Sequence, residues 1–172
     1  MSKTAKITMG GMLAALSVAL LFLSNFISVA SLALSAIAGV LLIPAVIEAS
    51  AGWAFMIYGV VSILSLLLLG DKSSALFYIF LFGHYPIVKN AIERKLQNKP
   101  LQWVIKLLFQ NVCAFIAMLI TYKVTGVGDD SLFKNGLMVT AILFNVTFVL
   151  YDIALSRLIV TYVYRIRKIF HH

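Results

Sequence analysis

A few polar side chains interrupt otherwise apolar runs, and they bound the chemistry open to this chain. His84-Tyr85-Pro86 breaks one run, Gln110-Asn111 a second, and Asn145 and Asp152 a third. Asn145 and Asp152 are seven residues apart and share a helical face. An ionisable group at membrane depth costs at least about 2.5–3.5 kcal/mol on insertion scales, so it faces a protein interior or a cavity. Two arrangements meet that demand. In one, Asp152 pairs with His84 or an asparagine in a clamp between helices. In the other, the groups line a pocket for a small molecule. The expected ligand-binding residues are then His84, Gln110, Asn111, Asn145 and Asp152 with Tyr78, and His84, Asn111, Asn145 and Asp152 converge near mid-membrane. Phe77 and Phe80 share a helical face with His84 and, with Phe109, would supply the apolar wall that ligand sites need.

Catalysis finds little support. There is no H-E-x-x-H pair, no G-x-S-x-G elbow and no G-x-x-x-x-G-K-[ST] phosphate loop. His84 and Cys113 alone make a thin ligand set for a metal. The expectation is no catalytic residue, no metal and no cofactor. Cys113 stands alone, so a disulfide within the chain is impossible.

The elements that must position these residues follow from composition. Of 172 residues, 62% are hydrophobic and 12% charged, and the mean hydropathy is +1.03. A soluble domain carries roughly a quarter charged residues. The apolar excess therefore belongs to a surface that faces lipid. Backbone groups in hydrocarbon must be paired, which leaves helices or a closed barrel, and barrel strands alternate apolar and polar residues. Ser62-Ile63-Leu64-Ser65-Leu66-Leu67-Leu68-Leu69 does not alternate. The sequence predicts an all-α integral membrane protein, a compact bundle of six transmembrane helices forming a single domain over 1–172. The spans are expected at about 7–28, 30–48, 52–69, 74–91, 101–122 and 135–167, each near the 20 residues that a bilayer core requires. Pro86 is expected to kink the fourth, because its ring takes away an N–H and clashes with the carbonyl one turn earlier.

The net charge of +8 does not point to nucleic acid, because the basic residues sit at span ends. Lys3, Lys6, Lys89, Arg94, Lys95, Lys99, Lys106, Arg165, Arg167 and Lys168 fall on one side, against Lys72, Lys123 and Lys134 on the other. The positive-inside rule then puts both termini in the cytoplasm of a cell-membrane protein, where the basic ends meet anionic lipid headgroups. Lys89 and Glu93, four apart, are expected to form a surface pair.

Gly11, Ala15 and Ala19 recur every four residues in the first span, beside a second row containing Gly10 and Ala14. Small residues at this spacing let another helix approach closely, within this protein or from a partner. Ala15-Leu16-Ser17-Val18-Ala19 is an A-x-x-x-A motif. With the six-span, basic-inside layout, it resembles the substrate-binding S-components of energy-coupling factor (ECF) transporters. That resemblance implies uptake of a small vitamin-like molecule, with Gly11, Ala15 and Ala19 docking on a transmembrane coupling subunit and separate subunits hydrolysing ATP. Two other readings stay open: a membrane scaffold or assembly protein acting through helix–helix contacts, and a stand-alone transporter of lipid or ions.

Overall fold

The computed structural model describes residues 2–27, 30–70, 72–125 and 137–166, without the side chains of 121–125, 137–140 and 166. Its regular structure is helical, with no strand among the described residues. Six segments are long and apolar enough to cross a membrane: Lys3–Leu23, Ser31–Ala49, Ala51–Leu68, Lys72–Lys95, Lys99–Ile120 and Ala141–Arg165. The chain is thus an all-α, multi-pass membrane protein. The expected start and end of the sixth span, at 135 and 167, lie outside the described residues.

The chain divides into two compact units, Met1–Ala117 and Met118–His172. The first contains α1 (Lys3–Leu23), α2 (Ser31–Val40), α3 (Ala51–Leu68), α4 (Lys72–Phe77), α5 (Tyr85–Lys95) and most of α6 (Lys99–Thr125). Two of its spans are interrupted, each by a proline. Pro44 has no N–H to offer the carbonyl of Val40, and α2 stops there. The chain re-enters helix as a π turn, Ala45–Ala49, closed by the Ser50 N–H to the Ala45 carbonyl at 3.2 Å. Pro86 acts in the same way on the fourth span. α4 passes into a π turn, Tyr78–Phe82, and α5 begins only at Tyr85, with Pro86 in its first turn. At the expected kink the α-helical bonding is interrupted between Phe77 and Tyr85, while Gly83 and His84 keep right-handed helical backbone.

Small side chains hold the first unit together. Gly10, Ala14, Ser17 and Leu21 form the buried row of α1, and a Cβ on Gly10 would lie 3.3 Å from Ile57 Cδ1 of α3. The core continues through Ala38, Ala54, Val61 and Ala75. Hydroxyls join the helices: Ser17 Oγ donates to the Ala38 carbonyl at 3.4 Å, and Ser35 Oγ of α2 shares its proton between the Ser31 carbonyl at 2.7 Å and the Ser74 carbonyl of α4 at 2.9 Å. In lipid, where apolar contact gives no hydrophobic gain, close packing and such bonds drive association. Lysines close the helix ends. Lys72 Nζ donates to Leu66 and Leu69 carbonyls at the end of α3, and Lys6 Nζ to the Ala49 carbonyl. Each puts positive charge against the negative end of a helix dipole.

The second unit holds α7 (Leu137–Thr161) and a π turn, Tyr162–Ile166. Phe148, Tyr151, Asp152 and Leu155, at helical spacing, form its buried row.

Candidate functional site

The break in the fourth span organises the most polar part of the first unit. In a continuous α-helix the Gly83 N–H would bond the Ile79 carbonyl. In the π turn it bonds the Tyr78 carbonyl instead, at 2.7 Å. The Ile79 carbonyl accepts two side chains: Tyr58 Oη–H from α3 at 2.8 Å, and His84 Nδ1–H at 3.0 Å. A carbonyl only accepts, so Nδ1 carries the imidazole proton and Nε2 bears the lone pair. Nε2 faces Cys113 Sγ of α6 at 3.7 Å, which makes the thiol the donor. The ring is framed edge-on by Tyr58 and Phe109, with centroids at 6.1 and 5.5 Å. Gly83 is required by space: a Cβ there would come within 2.8 Å of Tyr78 Cζ and of the Tyr78 carbonyl oxygen, and 2.9 Å of Tyr58 Cδ2.

Gln110 reaches the same break from α6, donating through Nε2 to the Leu81 carbonyl at 3.2 Å. Its Oε1 and the Tyr78 hydroxyl are buried, and neither has a hydrogen-bond partner among the described residues. Buried polar atoms without partners are rare and costly, at about 1–3 kcal/mol each. Both flank the same π turn, where the packing is tight enough to exclude a Cβ at Gly83.

One turn towards the basic end of α5, an ion cluster joins α5 to α6. Glu93 Oε1 accepts from Lys89 Nζ at 3.0 Å and from Lys106 Nζ at 2.6 Å. The Glu93 side chain is 39% exposed, as a surface pair requires, whereas those of Lys89 and Lys106 are only 1% and 4% exposed, and Lys106 adds a second lysine to the expected pair. Lys106 also lies 5.5 Å from the Trp103 ring centroid. Spacing predicts the Lys89–Glu93 pair. The arrival of Lys106, thirteen residues on, depends on how α5 and α6 pack.

Of the residues expected at a ligand site, Tyr78, His84 and Gln110 surround the break in the fourth span. Phe109 belongs with them. Asn111 does not, being exposed and bonded to the Leu107 carbonyl of its own helix at 2.8 Å. Asn145 and Asp152 belong to the second unit. Asn145 is half-buried and donates to the Ala141 carbonyl at 2.8 Å, while Asp152 is buried. Tyr58 and Cys113 are participants that the sequence reading did not assign. A tyrosine inside an apolar span, beside Gly59, was the available signal for the first.

The small residues of α1 separate into two rows. Gly10 and Ala14 are buried against the first unit, whereas Gly11, Ala15 and Ala19 are exposed. Nothing lies within 4 Å of a Cβ built on Gly11. Comparison of the chain with protein-family models, curated proteins and solved structures finds no match.

Proposed function

We propose that this protein is the substrate-binding membrane subunit of an ECF-type importer, docking through α1 on a transmembrane coupling subunit and leaving ATP hydrolysis to others. The observation that carries this reading is the division of labour on α1. One row of small residues is used up in internal packing, and a second row, Gly11, Ala15 and Ala19, is left open along the same helix. A groove of small residues facing lipid gains nothing by itself; its value is realised when another helix closes on it. The buried, unpartnered Tyr78 Oη and Gln110 Oε1 support a substrate site in the same unit. A substrate that suits them is small, largely apolar or aromatic against Tyr58, His84 and Phe109, and carries a hydrogen-bond donor for Gln110. On this reading the basic span ends lie in the cytoplasm and the protein resides in the cell membrane.

The test is affinity capture from a host that carries an energy-coupling module, with the captured proteins identified by mass spectrometry. Wild-type protein should bring down a transmembrane coupling subunit and ATPase subunits, and Ala15→Leu should not, while remaining monodisperse with an unchanged melting temperature. Native mass spectrometry of the same samples should show a retained small molecule in both. Capture of other membrane proteins without ATPase subunits would favour the scaffold reading, and unfolding of Ala15→Leu would return the stripe to internal packing.

A further inference from the structure

α7 carries an arginine among exposed apolar side chains. Arg157 is exposed, and its guanidinium makes no ion pair or hydrogen bond among the described residues. With Ser156, Val160 and Thr161 it lines an open depression of about 360 Å³, at the small end of the range for ligand clefts. Both hydroxyls there donate to their own helix: Ser156 to the Asp152 carbonyl and Thr161 to that of Arg157, each at 2.9 Å. The guanidinium is therefore the group left to meet a ligand, and it offers five N–H donors in a planar fork suited to phosphate.

The surroundings say what kind of phosphate. Val146, Leu150 and Ile153 precede Arg157 by eleven, seven and four residues, so they share its face. They are 53%, 63% and 43% exposed, forming a continuous apolar track. At 1.5 Å per residue the track is about 16 Å long, comparable with an extended acyl chain. Tyr164, 68% exposed, lies beyond the arginine in the π turn that follows α7. Arg157 lies eight residues before the end of the Ala141–Arg165 span, and an arginine inside a span snorkels along its apolar stem toward the headgroups.

We propose that the Val146–Arg157 face of α7 is a binding site for one anionic phospholipid, its phosphate held by Arg157 and its acyl chain lying along Ile153, Leu150 and Val146. A guanidinium within a membrane span is costly without an anion, and a lipid supplies the anion and covers the track together. A zwitterionic headgroup brings its own ammonium and competes with the arginine. A free phosphate would use the fork and leave the track bare.

The test uses the full-length protein in detergent, with phosphatidylglycerol, phosphatidylcholine and glycerol phosphate as probes. Native mass spectrometry and thermal unfolding are the readouts. Wild-type protein should retain one phosphatidylglycerol at least tenfold better than phosphatidylcholine, and phosphatidylglycerol alone should raise the melting temperature. Arg157→Gln should lose that retention and that rise. Arg157→Lys, which keeps the charge without the fork, should retain the lipid several-fold less well than wild type, and it serves if the glutamine variant does not fold. Equal retention of the two lipids, stabilisation by glycerol phosphate alone, or unchanged adducts in either variant overturns the proposal. So does loss of a co-purifying protein from Arg157→Gln without any lipid preference in the wild type, which would make the arginine part of a protein interface.

Discussion

Adding one methyl group to three glycines should give three different outcomes. At Gly83 the backbone φ is −67°, open to any residue, so the penalty is purely steric. The new Cβ would sit 2.8 Å from the Tyr78 carbonyl oxygen, 2.8 Å from Tyr78 Cζ and 2.9 Å from Tyr58 Cδ2. The first of these is backbone inside a closed π turn, and Tyr78 is fully buried, so little can move aside. Overpacking of this kind costs typically about 1–3 kcal/mol, and the immobile neighbours place Gly83→Ala in the upper part of that range. At roughly 2–4 °C per kcal/mol for a chain of this size, the melting temperature should fall by about 5–10 °C. Gly10→Ala meets only the flexible end of Ile57, at 3.3 Å. The roughly 1 kcal/mol by which alanine exceeds glycine in helix propensity should offset that, leaving stability near wild type. Gly11→Ala meets nothing within 4 Å and should be neutral or stabilising. Thermal unfolding of the three variants in one detergent, followed by near-ultraviolet circular dichroism, ranks them. A Gly83→Ala protein melting within a degree of wild type would refute the packing of Tyr58 and Tyr78 on the break. A Gly11→Ala protein that melts early would show that the outer row of α1 is packed after all.

Three further outcomes are expected. Gln110→Leu removes a buried acceptor without a partner together with one hydrogen bond, so melting should hold or rise; a retained small molecule should bind at least tenfold more weakly, about 1.4 kcal/mol, by titration calorimetry. Glu93→Gln deprives two buried ammonium groups of their shared carboxylate and should destabilise by about 1.5–3 kcal/mol, with Lys106→Met partly restoring melting in the double variant; a silent Glu93→Gln would mean that the cluster contributes nothing. On a Cys113→Ala background, single cysteines near Asp129 should react with an impermeant maleimide from outside whole cells and those near Arg94 should not, and the reverse pattern would invert the proposed orientation.

Hydropathy decided the membrane class, the helical architecture and the number of spans, because each span must bury its own backbone polarity along one continuous apolar stretch. Pro86 also announced a disturbance in the fourth span. Its consequence was not legible: the π turn frees the Ile79 carbonyl for His84, five residues on, and for Tyr58, twenty-one residues earlier. The two rows of small residues on α1 read alike in the sequence, since Gly10 and Gly11 differ by only 100° around the helix. Only the approach of α3 through Ile57 decides that Gly10 is buried and Gly11 open. Lysines were legible as charge at span ends, where they serve topology. That Lys89 and Lys106 turn inward on one carboxylate oxygen depends on the packing of α5 against α6. Periodicity fixes which residues share a face of a helix, but which face meets a neighbour is set by shape complementarity between helices, and in a chain apolar on every side that information exists only in the folded structure.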